Sequence, residues 1–299
     1  MIRSDLRAIP GYVPGARHDD ALKLSSNEAT QPPLPEAAEA MARAAAEANR
    51  YPDIAATELR EDLAEHLGVS FDQVAVGTGS SALCQQLVQI TTTPGEEVIF
   101  PWRSFEAYPI FAQVVGARPI PVPLDADQRV DLPAMAEKIT SDTRLIFVCN
   151  PNNPSGTTVT KAEFSEFMDA VPGDVLVALD EAYIEYNRNA DTPLGTELFG
   201  TYPNVVFLRT FSKAYGLAGV RVGYAYGPED VIAALNKVAI PFSINAVAQA
   251  GARAALAAQD SLRERTEETC GQRQRVEKEL AEWGVPRSEA NHVWLPAAN

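Results

Sequence analysis

The chain is poor in cysteine, poor in basic residues and free of long apolar runs, and each shortage excludes a class of protein. Its three cysteines, Cys84, Cys149 and Cys270, lie far apart and form no Cys-x-x-Cys pair. That spacing argues against a disulfide framework or a zinc site and favours a reducing compartment. No stretch approaches the roughly 18 apolar residues of a membrane span, and the N-terminus lacks the apolar core of a signal peptide. We therefore expect a cytoplasmic protein with no membrane partner and no bound metal ion.

Basic residues are scarce relative to acidic ones. Lysine and arginine number 25 against 40 aspartates and glutamates, which gives a formal charge of -15 at pH 7. Such a surface repels phosphate backbones, so no nucleic acid partner is expected. Because 46% of the residues are hydrophobic and 22% are charged, the composition is that of an ordinary globular protein. The length is sufficient for one large core together with a smaller domain.

Short apolar runs alternate with helical patterns over most of the chain. Runs that are apolar throughout and separated by helices are typical of an α/β fold, with a mostly parallel sheet and helices on both faces. The predicted strands are Gln73–Gly77, Glu96–Phe100, Pro119–Leu124, Leu145–Cys149, Val175–Leu179, Asn204–Leu208 and Val222–Tyr226. The prolines of the third strand predict an irregular or edge position for it.

Helical periodicity and helix-end signals define the other elements. Helices are predicted at Pro35–Arg50, Thr57–Leu67, Ser81–Ile90 and Asp131–Ile139, after the capping box of Thr160 and Glu163, in the alanine-rich segment after Pro241, and at Ser261–Trp283. Asp260 is expected to cap the last of these helices and Gly284 to end it.

This order of elements divides the chain into three regions. Residues 1–35 are interpreted as an N-terminal arm, residues 36–240 as a large domain, and residues 241–299 as the start of a small C-terminal domain. The tail from Asn291 begins like a strand and then stops. We therefore expect the small domain to be incomplete and the chain to be truncated.

Chemically active side chains follow four of the predicted strands. Ligand sites of parallel α/β sheets lie at the carboxyl ends of the strands, so these side chains are expected to converge. They are Gly79, Ser80 and Ser81 after the first strand, Asn153 after the fourth, Asp180 and Tyr183 after the fifth, and Thr210, Ser212, Lys213 and the more distant Arg221 after the sixth.

Pyridoxal phosphate requires this set of groups. Its aldehyde needs an amine, and Lys213 supplies one as a Schiff-base lysine. Its pyridine nitrogen must stay protonated, and pairing with the Asp180 carboxylate raises the pKa of that nitrogen. Its phenolate oxygen needs donors such as Tyr183 and Asn153, whereas its phosphate needs a helix N-terminus, hydroxyls and a cation such as Arg221. The sequence therefore predicts a pyridoxal-phosphate enzyme in which Lys213, Asp180 and Tyr183 are catalytic.

Each of these motifs has an ordinary interpretation when it is taken alone. An aspartate after a strand is more often a cap or turn residue, and a lone lysine is usually a solvated charge. Gly77–Ala82 also matches the G-x-G-x-x-A pattern of dinucleotide sites. Such a site needs an acidic residue at the end of the second strand, whereas Glu96 and Glu97 begin that strand here. A nicotinamide-dependent oxidoreductase is therefore a minor alternative.

Several segments resemble known enzymes. Together, Asn150–Gly156 (NPNNPSG), Asp180–Tyr186 (DEAYIEY) and Arg209–Ala225 (RTFSKAYGLAGVRVGYA) resemble the fold-type-I aminotransferases of the histidinol-phosphate group. The resemblance extends from about residue 22 to residue 295. Within that group, the segments that resemble the actinobacterial aromatic amino acid (phenylalanine) aminotransferases are Asn49–Asp53, Ser81–Gln89, Trp102–Pro109 and Ser288–Pro296.

The resemblance implies a homodimer that uses pyridoxal phosphate to transfer the amino group of a phenylalanine-like amino acid to a 2-oxo acid. It implies the roles given above for Lys213, Asp180, Tyr183 and Asn153. It places Thr210, Ser212, Arg221 and the turn Gly79–Ser81 at the phosphate. It adds Phe105 as a ring stacked on the cofactor, Tyr51 as a residue that reaches the phosphate of the neighbouring subunit, and Asn27 as a residue on the substrate side.

The sequence departs from the group in two places. The usual Asn-Glu-Asn-Pro run is Asn27-Glu28-Ala29-Thr30 here. The arginine that pairs with the substrate carboxylate in this group belongs to a small-domain segment that the sequence does not contain. Two alternatives therefore stay open: a histidinol-phosphate aminotransferase of histidine biosynthesis, and a truncated protein that binds pyridoxal phosphate with little turnover.

Overall fold

A computed structural model describes residues 2–12, 20 and 23–296, and a seven-stranded sheet forms the centre of this part of the chain. The strands are β1 (Val74–Gly77), β2 (Glu97–Trp102), β3 (Arg118–Pro123), β4 (Thr143–Cys149), β5 (Leu176–Asp180), β6 (Val205–Thr210) and β7 (Gly223–Tyr226). Their order across the sheet is β1-β7-β6-β5-β4-β2-β3. All seven predicted strands are therefore present, within a few residues at each end.

The sheet is mostly parallel, and the predicted fold class is confirmed. Strand β7 is the exception, because it pairs antiparallel with both of its neighbours, β1 and β6. Strand β3 lies at the edge beside β2, as its prolines predicted. Proline lacks the N–H that a central strand must donate on each side, so an edge is the place where such a strand costs least.

Ten α-helices accompany the strands in the described residues. They are α1 (Pro35–Ala45), α2 (Thr57–Leu67), α3 (Ser80–Thr91), α4 (Tyr108–Val115), α5 (Leu132–Ala136), α6 (Lys161–Ala170), α7 (Gly195–Leu198), α8 (Glu229–Val238), α9 (Ala246–Ala257) and α10 (Gln259–Glu279). The predicted helix at Pro35–Arg50 ends earlier, at Ala45, where the chain changes to turns. The alanine-rich segment after Pro241 forms α9 as predicted, whereas α4, α7 and α8 were not predicted.

Helices cover both faces of the sheet because successive strand residues point to opposite sides. On one face, Leu145 and Phe147 of β4 pack with residues of α3, α4 and α8. On the other face, Ile146 and Val148 pack with residues of α2, α5, α6, α9 and α10. All four of these β4 side chains are fully buried. Their burial explains why this strand is apolar throughout rather than alternating.

Helix α10 differs from its prediction at both ends. It begins at Gln259, so Asp260 lies in its first turn and does not cap it. It ends at Glu279, and a separate 3-10 turn, Ala281–Trp283, follows. Gly284 then ends this turn with a φ of 66°, a left-handed conformation that glycine adopts without strain.

The prediction of a strand after Asn291 is wrong for residues 291–296, which form none. It pairs with no strand of the described residues, and its polar groups bond to loops instead. The side-chain amide of Asn291 donates to the backbone carbonyl of Asn27 at 3.0 Å, and the carbonyl of His292 accepts a bond of 2.6 Å from Ser288 Oγ. Residues 297–299 lie outside the described part of the chain.

No helix of the described residues has both the length and the apolar character needed to cross a bilayer. The cysteines Cys84, Cys149 and Cys270 are all buried free thiols.

Candidate active site

A cavity of about 630 Å³ lies at the carboxyl ends of the parallel strands. It is the place where the sequence predicted that the functional side chains converge. Of the predicted residues, those that line the cavity are Ser80, Ser81, Phe105, Asn153, Asp180, Tyr183, Thr210, Ser212, Lys213 and Arg221. Gly79, Asn27 and Tyr51 do not line it, and each is described below.

One end of the cavity is assembled by the reversed strand β7. Gly223, the first residue of β7, pairs with Gly77 at the end of β1 and with Thr210 at the end of β6. A Cβ on Gly223 would lie 2.4 Å from the backbone nitrogen of Ser80, so only glycine permits this approach. The start of α3, the segment after β6 and the residues before β7 therefore meet at one point.

Arg221 is the cation at this end. Its guanidinium donates to Ser212 Oγ at 3.2 Å and to Ser81 Oγ at 3.3 Å. Gly79 packs beneath it, because a Cβ at Gly79 would lie 2.4 Å from Arg221 Nη2. The N-terminus of α3, two hydroxyls and a guanidinium together form a site suited to a phosphate group. Arg221 itself has a φ of 62°.

Asp180 is the buried carboxylate of the cavity. It ends β5 and is 4% exposed. Its Oδ2 accepts a hydrogen bond of 2.6 Å from the hydroxyl of Tyr108, and its Oδ1 accepts one of 3.2 Å from the backbone N–H of Ala182. Burial raises the pKa of Asp180 to about 6, although the bond from Tyr108 opposes the shift. A cationic ligand beside this carboxylate would therefore be strongly favoured.

Lys213 supplies the amine. Its Nζ donates to the carbonyl of Ser26 at 2.9 Å and lies 5.5 Å from the ring centre of Tyr183. Burial lowers the pKa of Lys213 to about 8, while the carboxylate of Glu28 opposes the shift. An amine with this pKa is neutral in about a tenth of molecules at pH 7, far more than an ordinary lysine, and the neutral amine is the nucleophilic form.

Asn27 connects the polar groups on the opposite wall. Its amide nitrogen donates to the hydroxyl of Tyr183 at 3.2 Å and reaches Asn153 Oδ1 at 3.5 Å. The backbone carbonyl of Asn27 accepts a hydrogen bond of 3.0 Å from the side-chain amide of Asn291. Asn27 thus stands behind the two residues predicted for the ring oxygen and does not line the cavity itself.

Two aromatic residues occupy different environments. Phe105 lines the cavity, and its ring meets that of Tyr108 edge to face at 5.4 Å. Tyr51 lies away from the cavity, is 83% exposed and stacks on Phe242 with ring centres 4.7 Å apart. Within this chain, therefore, Phe105 is placed to contact a ligand and Tyr51 is not.

Sequence reasoning missed three groups near the site. Tyr108 was missed because a tyrosine at a helix start resembles ordinary core packing, and only its spacing from Phe105 gave a signal. The Ser26 carbonyl is a backbone group, which a side-chain pattern cannot reveal. His292 packs edge-on to Tyr183 at 5.0 Å, and burial lowers the pKa of His292 to about 4, so its ring is neutral near pH 7.

A buried ion pair supports the strands that carry the site. Glu181, directly after Asp180, is fully buried and accepts a bond of 2.8 Å from Nε of Arg209. The same carboxylate accepts bonds from the Tyr226 hydroxyl at 3.0 Å and the Gly195 backbone N–H at 2.7 Å. With its oxygens satisfied in this way, the charge fixes β5 against β6 and β7.

The groups of this cavity fit pyridoxal phosphate. Asp180 offers a carboxylate that no cationic side chain of the described residues bonds, and Lys213 offers an amine with a lowered pKa. The turn Gly79–Ser81 and Arg221 offer a compact anion site. The described residues contain no group of three or more His, Cys, Asp or Glu side chains that could hold a metal ion.

Known proteins are similar to this chain both in sequence and in fold. Residues 19–296 match the family described as aminotransferase class I and II. The aromatic amino acid aminotransferase of Corynebacterium diphtheriae is 65% identical over 297 residues, which cover 99% of this chain and 86% of that protein. The protein of the same name from Corynebacterium glutamicum strain R is 63% identical over 296 residues, which cover 99% of this chain and 86% of that protein.

Solved structures give the same result. The histidinol-phosphate aminotransferase of Sinorhizobium meliloti, in complex with pyridoxal-5'-phosphate, has a TM-score of 0.84 and 33% identity, and the match covers 90% of this chain and 73% of that chain. A Thermus thermophilus aspartate aminotransferase mutant at 24% identity shows the same fold, with a TM-score of 0.84 over 97% of this chain and 82% of that chain. The resemblance inferred from the motifs is confirmed, and the chain belongs to the class I and II aminotransferases.

Proposed function

We propose that this aminotransferase uses pyridoxal phosphate to move the amino group of an aromatic amino acid such as phenylalanine to a 2-oxo acid. The observation that carries the proposal is the convergence of Lys213, Asp180 and Arg221 on one cavity. These residues match the aldehyde, the ring nitrogen and the phosphate of the cofactor. The Corynebacterium relatives are named aromatic amino acid aminotransferases, which supports the substrate class.

Each part of the cofactor has a group to hold it. Asp180 would pair with the ring nitrogen, Tyr183 and Asn153 would donate to the ring oxygen, and Phe105 would cover the ring. The phosphate would bind the N-terminus of α3 and the hydroxyls and guanidinium beside it, which belong to Ser80, Ser81, Thr210, Ser212 and Arg221.

When bound, pyridoxal phosphate supplies an aldehyde that takes up the amino group and a conjugated ring that accepts the electrons of the substrate's α C–H bond. Nζ of Lys213 removes the proton from the α carbon and holds it for redelivery. A pKa of about 8 suits this exchange, because a general base works best when its pKa lies near the working pH. The negative charge of Asp180, a buried carboxylate, would stabilise positive charge at the ring nitrogen more strongly than an exposed one could.

The wall beside these groups suits an aromatic side chain. Tyr12, Phe105, Ile110 and Phe111 line the cavity and present mainly apolar surface. Burying an aromatic ring against such a wall contributes on the order of 1.5–3 kcal/mol. Substrates with an aromatic side chain are therefore favoured over short polar ones.

Histidinol phosphate is the second candidate, because a histidinol-phosphate aminotransferase is among the solved structures of this fold. Its phosphate would need a cation of its own. Of the described residues that line the cavity, the cationic ones are Lys213 and Arg221, and the cofactor would use both. The carboxylate of phenylalanine needs a cation as well, so this count does not separate the two substrates. The apolar wall of the cavity and the names of the Corynebacterium relatives favour the aromatic amino acid.

We also infer a homodimer in which Tyr51 reaches the site of the other subunit. Tyr51 is exposed together with Ile54, Ile240 and Phe242, although large apolar side chains are usually buried. Tyr51 stacks on Phe242 with ring centres 4.7 Å apart, and exposed large apolar side chains of this kind are typical of a protein interface.

The proposal is tested by the absorbance spectrum of the purified protein with pyridoxal phosphate. A visible band should form, and phenylalanine should bleach it faster than histidinol phosphate or aspartate does at equal concentration. Bleaching by histidinol phosphate alone would move the enzyme to that substrate. The absence of any band in the wild-type protein would refute the role of Lys213.

A further inference from the structure

Tyr108 connects two of the groups proposed to hold the cofactor. It is the first residue of α4 and is fully buried. Its hydroxyl donates to Asp180 Oδ2 at 2.6 Å, and its ring and that of Phe105 meet edge to face with centres 5.4 Å apart. The flat face of the ring stacks on Phe147 with centres 4.4 Å apart and planes 10° apart. The side chain is thus restrained on three sides.

The hydrogen bond fixes both the charge and the orientation of Asp180. A buried carboxylate needs donors to remain ionised, and this one has the Tyr108 hydroxyl on Oδ2 and the Ala182 backbone N–H on Oδ1. The Tyr108 bond is the shorter, and the stack on Phe147 fixes its direction. Removing the hydroxyl would leave Oδ2 without a donor among the described residues and let the carboxylate turn.

We propose that Tyr108 is a positioning residue for the transamination: its hydroxyl keeps Asp180 ionised and aimed at the ring nitrogen of pyridoxal phosphate. This role rests on the proposed function of the site. Tyr108 does not line the cavity and acts through Asp180. Its ring also supports Phe105, so one side chain aligns the residue at the ring nitrogen with the residue that covers the ring.

The alternative is that Tyr108 serves only as core packing, and Tyr108→Phe separates the two. This variant keeps the stack on Phe147 and the edge contact with Phe105 and removes only the hydroxyl. Tyr224→Phe is the matched control, because Tyr224 is also buried but its hydroxyl has no hydrogen-bond partner in the described residues. Thermal unfolding and circular dichroism of both variants check that they fold.

Three readouts test the role. Tyr108→Phe should raise the Kd of pyridoxal phosphate about tenfold, because hydrogen bonds to charged groups contribute roughly that factor or more. At saturating cofactor it should lower kcat for phenylalanine about tenfold and change KM less than about threefold. The acid limb of cofactor binding should move to higher pH, because an Asp180 without this donor takes up its proton more readily. In an Asp180→Asn background, the same change should have no further effect on Kd.

The outcomes separate this inference from the proposed function. A wild-type protein that forms no visible band refutes the proposed function and this role with it. A wild-type protein that loads and turns over while Tyr108→Phe matches Tyr224→Phe overturns the role of Tyr108 alone. p-Aminophenylalanine at position 108 retains an N–H donor at the same place and should recover most of the lost affinity. If Tyr108→Phe does not fold, the p-aminophenylalanine variant provides the test. Its N–H is a weaker donor than the tyrosine hydroxyl, so its Kd for pyridoxal phosphate should lie above that of the wild type, and an unchanged Kd would overturn the role of Tyr108.

Discussion

The carbonyl oxygen of Ser26 accepts a hydrogen bond of 2.9 Å from Nζ of Lys213, so a backbone group of the N-terminal segment holds the amine of the candidate active site. A neutral carbonyl stabilises an ammonium group less than a carboxylate would, and burial then lowers the pKa of Lys213 to about 8. The amine is therefore directed and partly neutral before any aldehyde reaches it.

This pKa predicts how the protein loads its cofactor. In protein stripped of pyridoxal phosphate, the rate of loading should rise about tenfold per pH unit below pH 8 and level off above it, because only the neutral amine reacts. A lysine peptide should still gain rate well above pH 9. Stopped-flow absorbance at constant ionic strength measures both. A profile for the protein that parallels the peptide would contradict the lowered pKa.

Replacing Lys213 should abolish turnover. General-base steps typically contribute a factor of about 10²–10⁴, so Lys213→Ala should retain less than about 1% of the wild-type rate. The exposed Lys138→Ala is the matched control and should keep full activity. The half-reaction with phenylalanine, followed by absorbance, gives the measurement. Activity of Lys213→Ala above that level would remove this residue from the mechanism.

Asp180 should lower stability when no cofactor is bound. Its pKa is raised from 3.8 to about 6, so the folded state holds the proton to higher pH than the unfolded state. The contribution of Asp180 to the free energy of unfolding is therefore fully present below pH 3.8, is lost as the pH rises from about 4 to 6, and is absent above that range. The loss is on the order of 3 kcal/mol at pH 7.

Asp180→Asn should consequently raise the free energy of unfolding at pH 7.5 by about 1–3 kcal/mol in stripped protein. It should lose most of this advantage when pyridoxal phosphate is present, because the variant binds the cofactor poorly. Urea unfolding with and without cofactor tests both statements, with the exposed Asp174→Asn as control. If Asp180→Asn is less stable than the wild type when both lack the cofactor, then burial of the charged Asp180 carboxylate does not destabilise the fold.

The phosphate end can be tested with a cofactor that lacks the phosphate. Arg221→Ala should raise the Kd of pyridoxal phosphate about 10- to 100-fold, since charged hydrogen bonds contribute about 1.5–3 kcal/mol. The Kd of pyridoxal should change less than about threefold. Arg263→Ala, on the exposed side of α10, is the control. Equal losses for the two compounds would place the guanidinium elsewhere.

Mixed dimers test whether Tyr51 acts across an interface. Neither Lys213→Ala nor Tyr51→Ala should be fully active alone, but a heterodimer of the two contains one site with an intact lysine and an intact tyrosine. A random mixture should therefore regain about a quarter of wild-type activity from such sites. At a cofactor concentration too low to load Arg221→Ala, a mixture of Lys213→Ala and Arg221→Ala should regain none, because both residues serve the site of their own subunit. If the first mixture shows only the residual activity of Tyr51→Ala, then Tyr51 is not shared.

Strand positions and most cavity residues could be predicted from the sequence because their signals are local. Runs such as Leu145–Cys149 are apolar throughout, and the polar residues that follow them must lie at one edge of a parallel sheet. The antiparallel pairing of β7 could not be predicted, because an apolar run does not show whether its strand lies parallel or antiparallel to its neighbours. The strand expected after Asn291 failed for a related reason: a strand needs a partner, and residues 291–296 pair with no strand in the part of the chain that the structure describes.

Tyr108 was missed together with the helix it begins. Most residues of α4 are apolar, so their pattern lacks the polar face that marks an amphipathic helix. The contact with Asp180 joins residues 72 positions apart and exists only after the helix packs on the sheet. Partners of this kind are found by burial and distance, which a pattern of residue types does not contain.

The reversed strand β7 has a consequence for folding. Arg221 and Ser81 are 140 positions apart, and they meet only when β7 has entered between β1 and β6. A chain in which this last strand is still outside has no complete anion site and should not retain the cofactor. Pyridoxal phosphate would then bind only molecules in which the sheet is complete, and its visible absorbance would measure how many molecules have reached that state.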